Sequence, residues 1–236
     1  KVVTANIDIY ERYVQIQTKS SIDTKTIKVL NPKEVVFEGG RELELDAVSE
    51  VPRYYVCNAY GVCGIYSAPG TAVKEAYDTS GIVTNDRGVT VWLKGNRVSR
   101  NQIMAIKEES VTEQKNSLAV CLDNILRHAG ITRNTEYDLA QGKTATTILS
   151  ENMTGVQVLD LSGCTLDAVL YYVNQDIPVL AILEDGEAVL VTGFNEFNVV
   201  IMEPSTGKLY KKGMNDATAW FAENGNHFIT YMRTEN

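Results

Sequence analysis

The sequence predicts an α+β protein. Three observations carry that reading. The second half places helical stretches first and apolar strand runs afterwards, the order of a domain whose helices pack on an antiparallel sheet. The first half is a series of short strand-like runs broken by turn residues. Apolar residues make up 44% of 236, enough for a sizeable core.

The segments divide as residues 1–50, 51–100 and 101–236. The first is β-rich. "ANIDIYERYVQIQT" alternates apolar and polar residues, as a half-buried strand does. "TIKVL" and "EVVFEGGRELEL" add short strands, with Gly39 and Gly40 as a turn. The second segment reads as a small β-β-α-β-β module over 54–95. Two strands flank Tyr60-Gly61. Ser67 and Pro69 start a helix that stops at Gly81, and a hairpin turns at Asn85-Asp86-Arg87-Gly88. Trp92 and Tyr55 are expected to pack inside it, with ligand stacking as the functional alternative.

A polar linker, "RVSRNQIMAIKEESVTEQKN", leads into the third segment. There a helix, "SLAVCLDNILRHAG", is followed by helices near 135–152 and 165–175. Strands are expected at 178–183, 187–194 and 199–203, then a short helix at 215–224 and a last strand at 227–233.

Composition narrows the function. Net charge is −8 with no basic cluster, so a phosphate backbone is repelled and nucleic acid is excluded as a partner. No apolar run is long enough for a membrane span. The chain begins at Lys1 without a Met, which suggests trimming, with any export signal or anchor upstream. Four cysteines and two histidines form no zinc pattern, and neither metal nor cofactor is called for. In "CNAYGVC", Cys57 and Cys63 are expected as small buried thiols on neighbouring strands. A disulfide across the turn is the alternative.

Three stretches of the third segment carry a resemblance. The helix from Ser117 to Gly130 is one. Gly186-Glu187-Ala188-Val189-Leu190-Val191-Thr192-Gly193 is a Gly turn opening a strand. The next strand ends at Glu203-Pro204. Over residues 110–233 the chain resembles the papain-like peptidases that process bacteriocins by cutting double-glycine leaders. The resemblance implies a papain-like fold. It aligns Ser117 with the family's catalytic cysteine, Glu187 with its histidine and Glu203 with its aspartate. Gln114 falls where the family often places an oxyanion-hole glutamine. "LSGCTLDAVLYYVNQDIPVLAIL" fits the helix and strand before the histidine turn.

The same alignment argues against the family's activity. A cysteine peptidase needs a thiolate, produced by an imidazole that takes the proton and later returns it. A serine hydroxyl is far less acidic than a thiol with pKa around 8.5. A glutamate with pKa around 4.3 is a poor base towards an alcohol. Ser117, Glu187 and Glu203 therefore read as degenerate triad positions, and no residue is assigned a catalytic role.

Cys121 is the alternative nucleophile, with His128 or His227 as its base. Leu118, Cys121, Leu122, Ile125, Leu126 and Ala129 share one helix face, which places Cys121 in the core as an inert thiol. His128 suits a helix C-terminus, where a cation meets the dipole favourably. Of Tyr171 and Tyr172, one is expected inside and one outside; the functional alternative is a rim for an extended ligand. The sequence thus points to a non-catalytic, peptidase-like protein outside the cell or on the envelope of a Gram-positive bacterium. It would bind a peptide or protein partner or act as a scaffold. A divergent cysteine peptidase and a stalk or adhesion module are the rivals.

Overall fold

The computed structural model describes residues 52–61, 63–95, 106 and 116–234, together with backbone strands between residues 4 and 43. The chain forms two compact units, 1–51 and 52–236. The first holds strands β1 (Thr4–Asp8), β2 (Tyr13–Thr18), β3 (Ser21–Asn31), β4 (Glu34–Val36) and β5 (Glu42–Leu43), each paired with the next in line. The alternating stretch that reads as one strand is a hairpin here, with Asp8 opposite Tyr13.

The second unit begins with β6 (Tyr54–Cys57), β7 (Cys63–Tyr66), α1 (Pro69–Thr79), β8 (Ile82–Asn85) and β9 (Thr90–Leu93). These are the elements expected of the module, and the strands form one sheet in the order β7-β6-β8-β9. Pro69 opens α1, where its missing N–H costs nothing. Along β6, Tyr54 and Val56 turn inward while Tyr55 and Cys57 lie on the more open side. Trp92 packs inside as expected, but the buried tyrosine of the pair at the strand start is Tyr54, not Tyr55.

Cys57 and Cys63 are directly opposed in the β6–β7 register and are joined by a disulfide. Two buried thiols were the favoured expectation; the bond forms instead because the register brings the two side chains onto the same side of the ribbon. Cys63 is exposed.

The rest of the unit comprises α2 (Ser117–His128), α3 (Glu136–Ala140), α4 (Ala145–Asn152), β10 (Val156–Asp160), α5 (Leu166–Val173), β11 (Val179–Ile182), β12 (Ala188–Phe194), β13 (Asn198–Glu203), β14 (Lys208–Gly213), α6 (Met214–Glu223) and β15 (His227–Arg233). The single helix expected near 135–152 is two. Gly142 takes φ 81°, and Thr144 then caps α4 by accepting Thr147 N–H. β10 and β14 were not expected.

Six strands make an antiparallel sheet in the order β10-β15-β11-β12-β13-β14. β12 is buried along its whole length. α2 packs on it and on β11, while α5 also lies on β12, β11 and β15. This is an α+β, papain-like arrangement: a helix and its neighbours packed on an antiparallel sheet.

The module and this sheet share one hydrophobic core. Trp92 Nε1–H donates to Ala168 O at 3.0 Å, and the Tyr172 hydroxyl donates to Val91 O at 3.1 Å. Both partners are carbonyls across the junction with α5, so each buried ring is polar-satisfied there. Gly70 marks the closest approach: a Cβ on it would stand 2.9 Å from Ser162 O.

Candidate functional site

The start of α2 is fixed by its own sequence and by α3. Asn116 caps the helix, its Oδ1 accepting Leu118 N–H at 2.9 Å and Ala119 N–H at 3.2 Å. Thr135 N–H donates to Asp123 Oδ1 at 2.9 Å, and Thr135 Oγ1 donates to Ala119 O at 3.3 Å. Ser117 is therefore the first helical residue, held in a set position and only 9% exposed.

Its hydroxyl has a partner. Ser117 Oγ accepts the backbone N–H of Ala188 at 3.0 Å. Strand geometry explains why that N–H needs it. Leu183 N–H donates to Glu187 O at 2.8 Å, so Glu187 bonds towards β11 and Ala188 bonds towards the opposite side. β13 leaves the ladder at Glu203, and the serine supplies the missing acceptor.

Glu187 follows a tight turn. Gly186 N–H donates to Leu183 O at 3.0 Å, and Gly186 takes φ 85°, which favours glycine there. Glu187 itself is exposed, and its N–H donates to Asp185 Oδ1 at 3.0 Å. Leu190 faces Met202 across β12 and β13. Carried one residue further, that register sets Val189 beside Glu203, which puts the two glutamates at the same end of adjacent strands. Glu203 Oε1 accepts the Ser205 hydroxyl at 3.1 Å, tying the carboxylate into its own turn.

Cys121 stands one turn into α2 and is 0% exposed. Burial pushes its thiol well above the ordinary range, and the negative charges of Glu203 and Glu187 push it further the same way. Every perturbation at this thiol opposes thiolate formation, the reverse of what a nucleophilic cysteine needs.

The histidines stand elsewhere. His128 closes α2, roughly 16 Å along the helix axis from Ser117. Its Nδ1 is hydrogen-bonded to the Tyr231 hydroxyl at 3.1 Å, and its Nε2 is 4.0 Å from Asp176 Oδ2. Burial lowers its pKa, Asp176 works against that shift, and Arg233 adds to it. His227 opens β15 opposite Ile182, two strands from Ala188, and its ring lies against Gly225. Of the residues named from the sequence, Ser117 meets the strand that starts beside Glu187, and Cys121 feels both glutamates. Gln114 lies outside the described residues. Among the described residues, no three His, Cys, Asp or Glu side chains gather as metal ligands, and no helix is long and apolar enough to cross a membrane.

A second feature joins Trp92 and Tyr171, both weighed from the sequence as possible ligand contacts, to Tyr77, which was not. Tyr77, Trp92 and Tyr171 form a chain of rings with centroids 6.1 Å apart at each step. They line a cleft between the module and α5, along with Lys94, Asp167 and Asn174. Tyr172 is the buried member of its pair and Tyr171 the half-buried one. The spacing of Asp167, Tyr171 and Asn174 on one helix face was the available signal.

No protein family matches the chain by its sequence. No curated protein matches it either. Among solved structures, a putative C39-like peptidase from Bacillus anthracis aligns with TM-score 0.50 and 12% identity, covering 59% of this chain and 100% of that one. At that identity the likeness is one of fold, and the chain has the fold of a papain-like, C39-like peptidase.

Proposed function

We propose that this protein is a non-catalytic member of the peptidase-like fold. It works by binding a peptide or a partner protein, or as a scaffold, on a bacterial cell envelope. One observation carries the reading. The hydroxyl at the helix start, Ser117 Oγ, accepts the Ala188 backbone N–H, and the residue before Ala188 in the chain is an exposed glutamate where the family has its histidine. Both histidines stand elsewhere in the fold, so the alcohol lacks the imidazole that takes the nucleophile's proton in the family's chemistry. Burial of Cys121 supports the same reading, because the nearest thiol is held protonated. The envelope setting rests on the family resemblance and on the acidic composition.

The test is a mixed peptide library incubated with the protein and read by mass spectrometry, in parallel with iodoacetamide labelling at neutral pH. No cleavage and slow labelling agree with the proposal. Rapid labelling of Cys121 together with cleavage would make the protein a divergent cysteine peptidase instead.

A further inference from the structure

We propose that the cleft between α1, β9 and α5 binds a neutral sugar, independently of the Ser117 end of the fold. α5 supplies one wall of the cleft. Asp167, Tyr171 and Asn174 follow one another at i, i+4 and i+7, so one stripe of the helix, roughly 10 Å long, faces the cleft. That stripe is an aromatic ring between two short polar groups. The opposite wall is the Tyr77 ring, with Lys94 folded across it. Lys94 Nζ is 4.9 Å from the ring centroid and donates to Tyr77 O at 3.1 Å. Trp92, only 2% exposed, is the floor, its indole N–H already given to Ala168 O.

Two features define the occupant. The first is charge balance: one cation, Lys94, and one anion, Asp167, line the same small space, so an ion of either sign is attracted by one and repelled by the other. A neutral ligand carries no such conflict. The second is the alternation of ring faces with donors and acceptors. A sugar presents C–H groups from one face and hydroxyls around its rim. The face suits the Tyr171 ring, while the hydroxyls suit the carboxylate of Asp167, the amide of Asn174 and the ammonium of Lys94, which lies over the Tyr77 ring on the opposite wall. The open space is about 140 Å³, below the usual range for drug-sized ligands, which limits the site to one ring or the end of a chain.

The experiment titrates the full chain with glucose, N-acetylglucosamine and cellobiose, read by backbone and indole NMR. The proposal predicts saturable shifts confined to residues of the cleft, including the Trp92 indole N–H. It also predicts affinity reduced about tenfold by Tyr171→Ala. Asp167→Ala and Asn174→Ala are to weaken binding as well, and they carry the test if Tyr171→Ala fails to fold. Tyr210→Ala, on an exposed ring of β14, is to leave binding unchanged. No shift with any sugar, shifts unaffected by the cleft variants, or binding of a short peptide such as Ala-Phe-Ala in place of the sugars would overturn it.

Discussion

The side chain of Ser117 and the backbone of Ala188 form a 3.0 Å hydrogen bond that joins the start of α2 to the start of β12. The donor is 1% exposed, so the bond has no water to replace it. Ser117→Ala leaves that N–H unsatisfied and is expected to cost about 1–3 kcal/mol. In a unit of this size that lowers the melting temperature by roughly 2–4 °C per kcal/mol. Thermal melts of the two proteins measure it. An unchanged melting temperature would mean the bond does not hold the two elements together.

Cys121 should resist alkylation. Its thiol is fully buried, and burial, Glu203 and Glu187 all disfavour the thiolate. Iodoacetamide labelling of the native protein at neutral pH is expected to proceed only as fast as the core opens, and to accelerate sharply in denaturant. Labelling as fast as that of an unfolded cysteine peptide would contradict the assignment.

The Cys57–Cys63 bridge closes a short loop, with a sequence separation of 6. Loop-closure entropy for so small a ring gives about 2 kcal/mol. Cys57→Ser/Cys63→Ser should therefore lower stability by about that amount in a urea titration. In native protein, thiol titration should find no accessible cysteine before mild reduction, because Cys121 and Cys164 are buried. Two accessible thiols are expected afterwards.

His128 should make stability depend on pH in a definite direction. Its folded-state pKa lies below the ordinary value, chiefly through burial, so the unfolded chain binds the proton more readily. The stabilising difference is present in full above the unfolded pKa of about 6.5 and is lost as pH falls from there through the lower folded-state value. Urea titrations at about pH 7.5 and about pH 5.5 compare wild type with His128→Gln. The wild type should lose more stability on acidification. An equal loss in both would remove His128 as the source.

Much of the fold was legible because its apolar runs are long or regular. β11, β12, β13 and β15 are runs of Val, Ile, Leu and Phe within the sheet, and α2 carries a clean helical stripe. β14 was missed because it is an edge strand with Lys208, Lys211 and Lys212 on it. Such charges protect an edge but erase the apolar signal. β10, at the other edge, is only half-buried over most of its length. The union of the module with the main sheet rests on Trp92 reaching Ala168 and Tyr172 reaching Val91, contacts about 80 residues apart that no local pattern encodes. At the candidate site, the helix-start position of Ser117 was readable from "NSLAVCL". Its bond to Ala188 was not, because it depends on where β13 departs from β12.

The central claim is that a peptidase's shape persists here without its chemistry. Its most direct test is a peptide-library digest by the wild-type protein, read by mass spectrometry against buffer. The account predicts no cleavage above the buffer control. Cleavage that disappears in Ser117→Ala, Glu187→Ala or Cys121→Ala would contradict it.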